Sequence, residues 1–242
     1  MRNVTKVLLI SIVCIILLVL LVHWLYLRFS NICDLHTNKS RYRLGDMIKG
    51  HGRSSMGGKD WHIRKYPKSI VSEYFAITSD KENVEVLASI VKKRSKQLSA
   101  IQGYALHLRV GDVIEESDHS VAELLNKPRL FYSGEHGFQY VPCWEKIKNC
   151  LDQSDIECKY VTIFAGTHTT HHTPKSCQYI DTVQRLLEQE GYTVIRRLGK
   201  DPDEDFVLMT TAQYFIQSGG GYSKLVRHVR EKLGLPNCKA VT

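Results

Sequence analysis

From residue 104 onward, short apolar runs alternate with amphipathic stretches, and that alternation leaves few architectures open. Tyr104-Ala105-Leu106-His107-Leu108-Arg109 reads as a buried strand. Lys159-Tyr160-Val161-Thr162-Ile163-Phe164-Ala165-Gly166 reads as another, β-branched and stopped by glycine. Tyr192-Thr193-Val194-Ile195 and Tyr214-Phe215-Ile216 continue the series. Between them the spacing predicts helices over Trp144 to Leu151, Tyr179 to Glu190 and Asp205 to Ala212. The middle one carries Ile180, Val183, Leu186 and Leu187 on one side and stops at Gly191; Asp203 or Glu204 opens the next. Ser223 caps a last helix through Leu233, which Gly234 and Pro236 end. This order predicts an α/β domain over residues 101–242, a Rossmann-like parallel sheet flanked by helices. Ligands are expected at the carboxyl ends of its strands.

The chain before that domain is built differently. Residues 7–27 are apolar almost throughout, the length of a helix that spans a bilayer. Arg2 and Lys6 lie in the preceding tail, residues 1–6, but Arg28, Lys39, Arg41 and Arg43 follow the span, so charge alone does not orient it. The sequon Asn38-Lys39-Ser40 and the cysteines lie beyond the span, and no small-residue cleavage site follows a short apolar core. The expectation is an uncleaved signal-anchor and a single-pass type II protein of the Golgi or endoplasmic reticulum (or of host membranes, for a viral chain). Residues 28–45 form a polar, basic stem, and residues 46–100 a small helical N-terminal region. Within it, residues 50–58 read as a glycine- and serine-rich loop, and residues 69–97 as two helices, the second ending in Lys92-Lys93-Arg94. Residues 123–140 read as polar and irregular.

Beyond Cys14, which lies in the apolar run, the cysteines are Cys33, Cys143, Cys150, Cys158, Cys177 and Cys238. An even number past an anchor fits the oxidising secretory lumen, and the spacing of Cys143, Cys150 and Cys158 admits a local bridge. The alternative is a set of reduced thiols. The net charge of +8 suits an anionic partner. With no basic stripe interleaved with aromatics and no zinc-finger or RNA-binding signature, nucleic acid is not the expected one.

The chemistry gathers at four strand ends: Arg109, Gly166-Thr167-His168, Arg196 and Ser218-Gly219-Gly220-Gly221. His107 and Arg109 share one face of an extended strand, and Gly111 lets the backbone turn away. A guanidinium matches a phosphate, and a glycine run that enters a helix lets backbone amides approach one. The plain alternatives are an arginine in a surface ion pair and a turn that needs positive φ. Asp112, so near Arg109, fits a positioning partner better than a general base. His168, His171, His172 and Cys177 read as a solvated loop rather than a metal site, with His168 alone placed to face a nucleotide.

His107-Leu108-Arg109-Val110-Gly111-Asp112 resembles the His-x-Arg-x-x-Asp signature of the GDP-fucose-dependent fucosyltransferases, the α1,2-, α1,6- and protein O-fucosyltransferase superfamily. The later block from Asp205 to Met209 and from Ala212 to Ser223 is similar to that family's second motif. Val110 stands where the family usually has a basic residue, and Gly219-Gly220-Gly221 replaces a Ser-Ser element. The resemblance implies the C-terminal half of a GT-B-type fold and inverting, metal-independent transfer of fucose from GDP-fucose to a glycan or glycoprotein, with no cofactor. It gives Arg109 the β-phosphate, His107 the nucleoside portion and Asp205 the guanine edge. Ser218, Gly219, Gly220, Tyr222 and Ser223 would line the phosphates. No acceptor-side base follows from it; His51, Glu73 and Glu115 are candidates by residue type alone. The competing expectations are a non-catalytic nucleotide-sugar-binding membrane protein and a disulfide-stabilised interaction domain.

Overall fold

The computed structural model describes residues 15–21, 33–35, 81–126, 129–133, 137–167 and 173–240. The chain divides into two compact units, Met1–Asp34 and Leu35–Thr242. In the first, residues 15–21 are helical and every one is exposed and apolar or β-branched. The remainder of the expected 7–27 span lies outside the described residues, and among those described no helix is long and apolar enough to cross a membrane.

The second unit is built on a parallel sheet. Its strands are β1 (Tyr104–His107), β4 (Tyr160–Ala165), β5 (Thr193–Leu198), β6 (Tyr214–Gln217) and β7 (Asn237–Lys239), in the order β5-β4-β1-β6-β7. Every pairing in it is parallel. A short antiparallel hairpin, β2 (Arg129–Ser133) with β3 (Gly137–Val141), stands apart from this sheet. The helices are α1 (Lys81–Arg94), α2 (Asp112–Glu115), α3 (Val121–Asn126), α4 (Trp144–Asp152), α5 (Pro174–Gln189), α6 (Pro202–Thr211) and α7 (Gly221–Lys232).

Alternation along each strand sends side chains to two cores. On one face Ala105, Phe164 and Phe215 pack with Leu87 and Val91 of α1, Phe206 and Met209 of α6, and Val226 and Val229 of α7. On the other, Leu106, Val161, Ile163 and Ile216 are as deeply buried. Helix α5 covers that second face: Arg196, the register partner of Ile163, binds Asp181 of α5 at 2.8 Å. Helix α4 lies there too, because Cys238, the register partner of Ile216, is disulfide-bonded to Cys150.

Three expectations change. Residues 123–140 are not irregular: Val121, Leu124 and Leu125 bury one side of α3, and the segment after it forms the hairpin. The three residues of β7 are too few to show a period, and only pairing with β6 makes them a strand. Helix α1, assigned by sequence to the region before residue 100, packs inside the sheet's own core. The first of the two helices expected over 69–97 lies outside the described residues.

The cysteines also differ from expectation. Cys150 bridges to Cys238 across 88 residues, so the local bridge among Cys143, Cys150 and Cys158 does not form. Cys143 and Cys158 are free, while Cys33 and Cys177 are disulfide-bonded.

Candidate active site

Strand order positions the site. From β1 the chain steps to β4 and β5 on one side, then crosses to β6 and β7 on the other. The connections leaving β1 and β6 therefore diverge, the arrangement in which a crevice is expected between the carboxyl ends of two neighbouring strands. His107 and Arg109 end one strand; Ser218, Gly219 and Gly220 end the other. The residues that the sequence placed 109 to 111 positions apart are neighbours here.

Their contacts are specific. The Arg109 backbone N–H donates to Ser218 Oγ at 3.1 Å, and His107 Nδ1 lies 2.7 Å from the same oxygen. Ser223 Oγ in turn accepts from the Ser218 N–H at 3.1 Å. Gly220 caps α7 with φ of 90°, and a Cβ there would stand 3.1 Å from Arg109 Cδ and strike Nη1. Only glycine tolerates both the backbone angle and the approach. On the other side of Arg109, Gly111 turns the chain with φ of 82°, donates its N–H to Ser176 Oγ at 3.0 Å, and leaves no room for a Cβ beside Thr167.

Arg109 is half-buried, yet among the described residues its guanidinium forms no ion pair or hydrogen bond, and Nε is sealed without a partner. The other buried or half-buried arginines among the described residues are engaged. Arg196 binds Asp181, Arg197 binds Glu204 and Asp205, and Arg230 is spent on backbone carbonyls. Arg109 stands beside the N-terminal turn of α7, whose cap supplies no side-chain acceptor. Guanidinium and helix dipole both favour an anion at that place.

Burial, aided by the Arg109 charge, lowers His107 to a pKa of about 3, so its ring is neutral at physiological pH. The Tyr222 ring lies 5.6 Å from His107 and 5.8 Å from Phe206, and its hydroxyl donates to the Pro202 carbonyl. The first turn of α7 is thereby tied to the first turn of α6. That turn is fixed by Asp201, whose Oδ1 accepts from the Asp203 and Glu204 N–H groups at 2.9 and 3.2 Å, with Pro202 at the first helical position. Burial pushes Asp205 up to about 7, against the opposing pull of the Arg197 guanidinium bound to its Oδ1.

The structure brings His107, Arg109, Ser218, Gly219, Gly220, Tyr222 and Ser223 together, and reaches Asp205 through Tyr222. Ser218 and Ser223 are fully buried, the Ser223 hydroxyl accepting from the Ser218 N–H. Arg196 points at α5, away from the crevice, and Arg197 takes its place beside α6. Asp112 Oδ1 accepts from the Val113 N–H at 2.8 Å, inside the first turn of α2, and Glu115 Oε1 accepts from the Ser176 N–H at 2.7 Å. His51, Glu73, Asn38 and His168 lie outside the described residues. Among the described residues no His, Cys, Asp and Glu cluster could hold a metal ion. Sequence reasoning missed Arg197; period-two alternation from Ile195 was the signal that could have found it.

No protein-family model matches the sequence, and no curated protein matches it. Solved structures do show likeness. A crystal structure of POFUT1, a GDP-fucose protein O-fucosyltransferase, in complex with GDP-fucose matches at 18% identity and a TM-score of 0.36. It covers 76% of this chain and 50% of that one. A second crystal form of the same complex matches at 18% identity and 0.38, covering 81% and 62%. A complex with GDP matches at 19% and 0.35, covering 77% and 53%. The chain thus spans from 50% to 62% of the length of these solved chains. Likeness of this degree carries no functional argument.

Proposed function

We propose that the crevice between β1 and β6 binds the diphosphate of a nucleotide sugar, and that the chain is a glycosyltransferase using GDP-fucose. The observation that carries this reading is the Arg109 guanidinium, unpaired among the described residues and set against Gly220 at the start of α7. An acceptor hydroxyl oxygen would attack the sugar's anomeric carbon while the bond to the β-phosphate oxygen breaks. The electron pair leaves with GDP, and the hydroxyl proton passes to a base or to solvent. Charge on the departing diphosphate grows as that bond breaks, so a fixed cation beside it binds the transition state better than the ground state. Asp205, ionised, would accept from the N1–H and 2-amino groups of guanine, which suits a carboxylate. The reaction is read as inverting and independent of metal, with a glycan or glycoprotein as acceptor.

Membrane anchoring through residues 7–27 and a secretory-lumen location belong to the same proposal. The apolar run, the Asn38 sequon and the Cys150–Cys238 disulfide support them. The test is a donor screen with the full-length chain in detergent. GDP- and UDP-sugars are offered with candidate acceptors, and nucleotide binding and release are followed. GDP-fucose is expected to bind and to release GDP faster when acceptor is present. Tight GDP binding without turnover on any acceptor would favour the non-catalytic alternative. No nucleotide binding would end the nucleotide-sugar reading.

A further inference from the structure

Ser218 Oγ meets two partners whose chemistry fixes where its own proton goes. The Arg109 backbone N–H, 3.1 Å away, can only donate to it. His107 Nδ1 is 2.7 Å away, whereas the next acceptor within reach, the Gly219 carbonyl, is 3.5 Å away, at the limit of a hydrogen bond. The hydroxyl proton therefore belongs on the line to Nδ1. A nitrogen that accepts carries no proton of its own, and in a neutral imidazole the other nitrogen must then hold it. That other nitrogen, Nε2, has no partner among the described residues and is not among the sealed polar atoms.

We infer that Ser218 is a positioning residue: its hydroxyl holds the His107 imidazole in the Nε2–H tautomer, so that the ring offers a proton donor, not a base, to an acceptor oxygen of the ligand. The groups packed about the ring agree with a neutral donor. Burial and the Arg109 charge disfavour a positive imidazole, and the Tyr222 ring of α7 beside it is uncharged. Ser218 is itself held by the bond from its N–H to Ser223 Oγ, so the lock is anchored in α7. The ligand oxygen is a phosphate or ribose oxygen of a nucleoside diphosphate, and this last step rests on the function proposed above. It follows that His107 does not deprotonate the acceptor.

The tautomer is read directly by 15N NMR of the full-length chain labelled at histidine, with His107→Gln identifying the resonance. The expected result is one Nε2–H form from pH 5 to 8, with Nδ1 shifted as a hydrogen-bond acceptor. In Ser218→Ala that shift collapses toward the free imidazole position and the Nδ1–H form becomes visible; Ser218→Thr, which keeps the hydroxyl, restores the lock. In GDP binding, His107→Gln keeps a donor near the place of Nε2 and stays within about threefold of wild type. His107→Ala loses roughly tenfold to a hundredfold, the range for a hydrogen bond to a charged group. An Nδ1–H form in the wild type, or titration of His107 near pH 6.5, overturns the inference. So does equal loss of GDP affinity in His107→Gln and His107→Ala. A locked Nε2–H ring in a chain that binds no GDP sinks the nucleotide reading and leaves the lock standing.

Discussion

Gly220 lies against the side chain of Arg109, closely enough that a single added methyl group would displace the guanidinium. The two follow different strands, and the contact exists because β1 and β6 are parallel neighbours with Tyr104 opposite Tyr214. Gly220→Ala is expected to disturb both the backbone, which at φ 90° and ψ 160° lies where glycine alone is at ease, and the Arg109 pose. Backbone strain costs about 1–3 kcal/mol of stability. Nucleotide release by the folded fraction should also fall, on the order of a hundredfold, because the guanidinium is displaced. Chemical denaturation and initial rates on the same preparation separate the two effects.

Arg109→Ala should reduce GDP release from GDP-fucose at least about a hundredfold, as expected for loss of a main transition-state charge contact. Folding should be kept, since the guanidinium makes no ion pair among the described residues. Circular dichroism and the rate assay together decide it. An unchanged rate would remove Arg109 from the chemistry.

His107 and Asp205 should oppose each other in acid. His107, lowered from 6.5 to about 3, binds its proton less well when folded, so its contribution is intact above pH 6.5 and is lost as pH falls toward 3. Asp205, raised from 3.8 to about 7, holds its proton better when folded, so its contribution is intact below pH 3.8 and is lost as pH rises through 7. Between about pH 4 and 6.5 the two slopes, each at most about 1.4 kcal/mol per pH unit, offset one another. Asp205→Asn should therefore show stability climbing with pH in that window, and His107→Gln the reverse. Urea midpoints across the pH range test the sign. GDP affinity should weaken about tenfold per unit below pH 7, where Asp205 gains its proton.

Arg230 is fully buried and donates to the carbonyls of Met209, Thr210, Ala212, Gln213 and Pro236, at 3.0, 2.8, 2.8, 3.4 and 2.6 Å. It closes the end of α6 and the entry to β7. Arg230→Met leaves those acceptors without their charged donor and should cost about 3–5 kcal/mol. The folded fraction should still bind GDP as wild type does, because the change lies at the opposite end of α6 from Asp205. Thermal unfolding with and without GDP distinguishes this from a site defect.

The Cys150–Cys238 bridge spans 88 residues and ties α4 to the edge strand β7. Replacing both cysteines with alanine should cost about 4.6 kcal/mol by loop-entropy reasoning. Calorimetry of this variant beside wild type, both kept oxidised so that the bonds of Cys33 and Cys177 stay intact, checks that the Cys150–Cys238 bridge carries the loss.

Periodicity, caps and glycines are local signals, and they made the α/β series, the Arg109 strand end and the glycine turn legible in the sequence itself. Asp201-Pro202 opens α6 and Gly191 ends the helix before β5 by chemistry that needs no distant partner. Tertiary structure decided the rest. That β6 lies beside β1, and so brings Gly220 to Arg109, is a matter of strand order. That Arg197 rather than Arg196 serves α6 is a matter of register, since one residue's shift exchanges the two faces of a strand. That Ser218 is sealed between the His107 ring and the Arg109 backbone is a matter of strand pairing. Each depends on which faces bury together, and a one-dimensional pattern carries faces but not their neighbours.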